Sequence, residues 1–247
     1  MSGGWTRRDF MTTAAAAAAG LAVWPGAGAA EARSGAREDG TVVLFQGDSI
    51  TDGGRNRSAT GPNNPGGLGT GYPVLIASAA LLEHPDRDLK FYNRGISGNR
   101  VPDLDARWEQ DALALQPDIL SILIGVNDIW HKLQGRYSGT VADYETGYAA
   151  LLERTRRALP NTKIVVLEPF VLRTGAVDSR WFPEFDERRA AAKRVAERAG
   201  AVFIPLQSMF DELSSRKDPA YWAHDGVHPT PAGHAAIARR WREVVGL

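Results

Sequence analysis

Four short segments of the chain carry groups that together could transfer an acyl group. The first is Gly47-Asp48-Ser49-Ile50-Thr51-Asp52. A serine just behind a permissive glycine can present its hydroxyl as a nucleophile, although the same residue could cap a following helix. Near the other end of the chain stands Asp225-Gly226-Val227-His228-Pro229. A carboxylate three residues before a histidine can accept the imidazole Nδ1–H. That fixes the tautomer and leaves Nε2 free to act as a base. Between them lie Asn93-Arg94-Gly95-Ile96-Ser97-Gly98 and Gly125-Val126-Asn127-Asp128. The Gly95 backbone N–H and the Asn127 side-chain amide are donors suited to a developing oxyanion. A turn glycine and a helix-capping asparagine are equally ordinary uses of those two residues. Together the four segments supply a nucleophile, an oriented base and two donors, the set that acyl transfer requires.

The elements that must position these groups alternate along the chain. Short apolar runs rich in β-branched residues predict buried strands over 41–46, 89–92, 119–124, 163–167 and 201–204. Helical stretches are predicted over 72–82, 102–115, 141–159, 185–199 and 231–245. Pro102 suits a helix start, while Pro117 and Pro160 end the elements before them. Strand and helix in strict alternation imply one α/β domain over 41–247. It is a three-layer arrangement, a five-stranded parallel sheet with helices on both faces and right-handed crossovers. In such a sheet ligands bind beyond the carboxyl ends of the strands. Ser49, Gly95 and Asn127 each follow a predicted strand.

Composition narrows the alternatives. The 247 residues hold 29 Lys plus Arg and 29 Asp plus Glu, a formal net charge of zero, which speaks against a nucleic-acid partner. Cysteine is absent, which excludes a thiol nucleophile and any cysteine-ligated metal. No cofactor is expected, because no ligand cluster stands out. Residues 1–29 read as an export leader: Arg7-Arg8 followed by Asp9 and Phe10, an Ala-rich run, then small residues at Ala27 and Ala29. The paired arginines resemble a twin-arginine signal, which implies a secreted or periplasmic protein. The apolar run is too short for a stable membrane anchor. Residues 30–40 read as a flexible polar lead-in.

The four segments, in this order and setting, resemble the blocks of the SGNH hydrolases, also called the GDSL family. The likeness runs from about Val43 to the C-terminus, with Ile50 where the family usually has leucine. It implies a flavodoxin-like fold with Ser49 as nucleophile, His228 as general base and acid, and Asp225 as its orienting carboxylate. It also implies an oxyanion hole made by the backbone N–H groups of Ser49 and Gly95 and the side chain of Asn127. The stretches Leu68-Gly69-Thr70-Gly71-Tyr72, 94–101 and 121–130 are similar to acetylxylan esterases and related carbohydrate deacetylases of that family. This implies a serine esterase that removes acetyl groups from xylan or related sugars.

The rim residues agree with a sugar. A polar, Gly-rich stretch over 53–71 follows the nucleophile directly. Trp130, Trp181, Phe182, Tyr221 and Trp222 stand near predicted strand ends, where aromatic faces suit sugar C–H surfaces, though core packing would explain any one of them. Asp48, Trp130, Tyr221, Trp222 and His224 are the expected substrate-side residues. Two rival readings keep part of this picture: a lipase or thioesterase acting on short acyl esters, and a noncatalytic sugar-binding protein.

Overall fold

Why the strands form is visible in their alternation. In β1 (Thr41–Gly47), Val43 and Phe45 face one side and Leu44 the other, and all three are fully buried. After β1 come the short helices α1 (Ser49–Asp52) and α2 (Pro65–Leu68), then α3 (Tyr72–Glu83). The chain continues through β2 (Leu89–Asn93), α4 (Val101–Asp111), β3 (Ile119–Leu123), α5 (Val126–Leu133) and α6 (Val141–Ala158). It ends with β4 (Lys163–Leu167), α7 (Glu184–Arg198), β5 (Val202–Ile204), α8 (Leu206–Ser214), α9 (Pro219–Trp222) and α10 (Pro231–Val245). The structure, a computed structural model, describes residues 40–247. The leader over 1–29 and all but the last residue of the lead-in lie outside the described residues.

The five strands are all parallel, in the order β2-β1-β3-β4-β5. Both faces are covered, as parallel sheets require. One face packs Val43, Phe45, Val165 and Leu167 against α3 and α10, where Trp241 is fully buried and donates its indole N–H to Ser121 Oγ at 2.9 Å. The other packs Leu44, Leu120, Ile122 and Val166 against α4, α6 and α7. Each fully buried side chain of this size contributes roughly 1.5–3 kcal/mol relative to exposure, so the sheet is a rigid platform. The order reverses between β1 and β3, since β2 lies outside β1. That switch point is where a doubly wound sheet opens a crevice at its carboxyl edge. Ser49 follows β1 and Asn127 follows β3, so both sit at its mouth.

The expected α/β arrangement is therefore the observed one, with local differences. The stretch expected as one helix over 102–115 is broken. The α4 helix ends at Asp111 and a tighter 3-10 turn, Leu113–Leu115, follows it. Gln116 then takes a left-handed conformation at φ 46° ahead of Pro117. Helices α5 and α8 carry no counterpart among the predicted elements. The first starts directly behind β3, at Gly125 with φ 133°, so its apolar residues run on from the strand without a polar break.

Candidate active site

Asp48 builds the turn that carries Ser49. Its carboxylate accepts the Ile50 N–H at 3.0 Å and caps α1, which puts Ser49 at the first helical position. The Ser49 hydroxyl lies 2.8 Å from His228 Nε2. On the far side of the ring, His228 Nδ1 lies 2.7 Å from Asp225 Oδ2. The other carboxylate oxygen, Oδ1, accepts two backbone N–H groups, from Val227 at 2.9 Å and from His228 at 2.7 Å. Burial alone would raise the Asp225 carboxyl. The His228 ring and the two backbone donors outweigh it and hold the group below its ordinary value. An ionised Asp225 keeps the proton on Nδ1, so Nε2 is the acceptor facing Ser49.

The loop bearing Asp225 is braced from the segment after β4. Leu172 donates to the Gly226 carbonyl at 2.8 Å, and Ala176 donates to the Asp225 carbonyl at 2.9 Å. Gly226 has φ +84°, and a Cβ there would lie 2.4 Å from the Thr174 carbonyl oxygen, so the turn needs glycine. Beyond His228, the Thr230 N–H donates to the Trp222 carbonyl at 2.8 Å and Thr230 caps α10. His228 thus sits on a pinned loop rather than a free one.

The donor side departs from expectation at Gly95. Its N–H is already committed to the Asn93 side-chain carbonyl at 2.8 Å. The same Asn93 donates its amide to the carbonyls of Thr51 at 2.6 Å and Leu68 at 2.9 Å. A Cβ on Gly95 would lie 2.4 Å from the Asp52 backbone nitrogen. Gly95 is therefore glycine because α1 packs backbone to backbone against it, not because it faces a ligand. Three residues on, the Gly98 N–H has no hydrogen-bond partner among the described residues, and Gly98 turns at φ +83°. Its neighbours are tethered on both sides. Ser97 donates N–H and O–H to Asp52 Oδ2 at 2.9 and 3.0 Å, and the Asn99 carbonyl accepts the Asn127 amide at 3.1 Å. The signal for Gly98 was the second glycine of Gly95-Ile96-Ser97-Gly98. Choosing between the two required the hydrogen bonds.

Two other expected site residues are also re-placed. Asp48, expected on the substrate side, is buried and works as a cap. Trp222 turns its indole N–H to the carbonyls of Leu213 and Lys217, toward the end of α8. Tyr221 stands edge-on to it at 4.9 Å and is half exposed, and His224 is exposed in the turn just before Asp225. Trp130 is the aromatic residue placed directly beside the base, its ring 5.8 Å from His228 and backed by the buried Trp181 at 5.7 Å. Phe182 is covered instead by the Arg173 guanidinium at 3.8 Å. Among the described residues no group of three His, Asp or Glu stands where it could hold a metal.

Beneath the site, Asp128 is fully buried and its Oδ2 has no partner among the described residues. Burial pushes its carboxyl up to about 7 against the opposing charge of Arg188. A folded pKa above the ordinary aspartate value near 3.8 gives a contribution that is complete below pH ~3.8 and lost as pH rises through ~7. Three pH units of such a shift correspond to about 4 kcal/mol. Asp128→Asn, which cannot ionise, should therefore gain stability on wild type by up to that order between pH 4 and 8. Urea midpoints at the two pH values check this, and a constant difference would show that Asp128 titrates normally.

A serine hydroxyl, an imidazole and an ionised carboxylate joined by hydrogen bonds at the carboxyl edge of a parallel sheet are groups that can carry out nucleophilic ester hydrolysis. Residues 45–236 match the GDSL-like Lipase/Acylhydrolase family, and the chain belongs to it. It is a carboxylic ester hydrolase. The chain is 35% identical over 212 residues to an acetylxylan esterase of Geobacillus stearothermophilus, covering 84% of this chain and 95% of that one. The crystal structure of an acetylxylan esterase from that organism overlays with a TM-score of 0.74 at 33% identity, covering 85% of this chain and 96% of the other. A structure described as a GDSL-like lipase from Parabacteroides merdae gives 0.82 at 48% identity, with 84% and 96% covered.

Proposed function

We propose that the protein removes acetyl groups from carbohydrate hydroxyls, as on acetylated xylan or related sugars, through Ser49, His228 and Asp225. The observation that carries the mechanism is the line of hydrogen bonds from Ser49 Oγ through the His228 ring to Asp225, at 2.8 and 2.7 Å. In the first step Ser49 Oγ bonds to the acetyl carbon while its proton passes to His228 Nε2. The carbonyl electron pair moves onto oxygen, facing the Ser49 and Gly98 backbone N–H groups and the Asn127 amide. Collapse breaks the bond to the sugar oxygen, which takes the proton from Nε2. A water then attacks the acetyl-serine, giving its proton to Nε2. Collapse releases acetic acid and returns the proton to Ser49. Asp225 stabilises the imidazolium formed in each half.

The acetyl reading is supported by the acetylxylan esterase relative, which matches over nearly its whole length, and by the aromatic face of Trp130 beside His228. The leader expected over 1–29 fits an exported enzyme that meets polysaccharide outside the cytoplasm. A lipid or thioester hydrolase on the same scaffold would behave differently with acyl length. Each methylene buried in an apolar channel would add about 0.8 kcal/mol, so its rates would climb from acetyl to octanoyl. Here kcat/KM on nitrophenyl esters should fall across acetyl, butyryl and octanoyl, and acetylated xylo-oligosaccharides should release acetate. An octanoyl preference, or no acetate from any acetylated sugar, would transfer the assignment to the lipid or thioester class and leave the Ser49 chemistry in place.

A further inference from the structure

The loop over 94–99 carries the Gly98 N–H, which is unpartnered among the described residues, and holds the Asn127 amide through the Asn99 carbonyl. A backbone carbonyl only accepts, so it fixes which end of the Asn127 amide is the NH2 and leaves the second N–H pointing elsewhere. The loop is tied to β1 through its backbone and to Asp52 through Ser97, and its two ends are also held by a side chain outside all four motif segments. Arg107 lies on α4, with its side chain 15% exposed. Its Nε donates to Asn99 Oδ1 at 2.9 Å, and its Nη1 donates to the Arg94 carbonyl at 2.8 Å. One planar guanidinium therefore grips both ends of the loop. Its Nη2 also reaches the Gly47 carbonyl, at the end of β1 before the nucleophile turn, through a longer contact of 3.4 Å. Asp111, one turn along α4, accepts from Nη1 at 2.9 Å and neutralises the charge.

We propose that Arg107 is a positioning residue for the oxyanion-binding groups, holding the 94–99 loop and, through Asn99, the Asn127 amide at the distance the transition state needs. This rests on the reading of Ser49 as nucleophile and Asn127 as oxyanion donor. The role follows from shape more than charge. The guanidinium fork directs its three nitrogens to the two ends of the loop and to the end of β1, and an ammonium cannot span them. A donor aimed at a charge that exists only in the transition state affects kcat and leaves ground-state binding nearly untouched.

Arg107→Met should lower kcat on 4-nitrophenyl acetate about 10- to 100-fold, the range that a displacement near 1 Å produces, with KM within about threefold of wild type. Arg107→Lys should fall between the two. Rates are taken per acylatable site, titrated by burst, so misfolded molecules do not count. In an Asn127→Ala background, Arg107→Met should cost at least about threefold less than it does in wild type, because part of the geometry it protects is already gone. A generally structural arginine would instead produce the same fold-loss in both backgrounds. If Arg107→Met does not fold, Asn99→Ala removes the Oδ1 acceptor and should lower kcat about 3- to 10-fold, again with little effect beside Asn127→Ala. Wild-type kcat in the Arg107 or Asn99 variants, or equal losses in both backgrounds, would overturn the proposal. Ser49→Ala, assayed alongside, separates the two levels: an active Ser49→Ala removes the nucleophile reading. An inert one with fully active Arg107 variants removes the Arg107 role alone.

Discussion

Ser49→Ala should lower kcat for acetyl ester hydrolysis by about 10⁴- to 10⁶-fold, the scale of losing the nucleophile from a Ser–His–Asp set. The neighbouring hydroxyls are already engaged elsewhere. Thr51 Oγ1 is buried against Tyr72 Oη at 2.8 Å, and Ser97 Oγ donates to Asp52. Ser49 is the hydroxyl bonded to the ring of His228. Removing it deletes one oxygen at a partly exposed position and leaves the Asp48 cap of α1 intact. Stability should then change by no more than about 1 kcal/mol, the scale of the single part-buried hydrogen bond to His228 that is lost. Steady-state kinetics and urea unfolding of the same preparation check both halves. Activity within tenfold of wild type in a folded protein would remove Ser49 from the mechanism.

How much of this could be read from the residues depends on whether the information is local. The strands were legible because β-branched apolar runs bounded by glycine and proline have few other uses. Asp225 and His228 were legible because the pairing closes within one turn, so spacing alone brings carboxylate to ring. Helix α5 was not, because its apolar start continues the pattern of β3. Gly95 misled for a physical reason. A glycine after a strand shows that something approaches closely, but not whether that is a ligand or, as here, the backbone of α1. Arg107 was illegible in the same sense. It lies in a helix rich in charged residues, and only the tertiary fold brings it to the loop. The tryptophans divide likewise: Trp130 flanks the base while Trp222 braces α8, and composition treats them alike.

The triad geometry also makes an asymmetric prediction for the carboxylate. Asp225→Asn is nearly isosteric, and the backbone settles how the new amide must sit. The Val227 and His228 N–H groups both point at Oδ1, so that position has to be the carbonyl oxygen. The NH2 then occupies the place of Oδ2, 2.7 Å from His228 Nδ1 in the native arrangement. An NH2 group donates, so Nδ1 has to accept and the ring proton moves to Nε2. That tautomer presents a donor to Ser49 and cannot take its proton. The expected loss in kcat is about 10⁴-fold, the size of this defect where a Ser–His–Asp hydrolase has had its aspartate so changed. Asp225→Ala leaves Nδ1 without an imposed donor, so the ring can still adopt the productive tautomer part of the time. It should therefore be the more active of the two at neutral pH, although it loses more of the loop's hydrogen bonds and should be the less stable. Comparing kcat and thermal midpoints of the two variants tests this directly. If Asp225→Asn retains more activity than Asp225→Ala, the carboxylate does not act by fixing the tautomer.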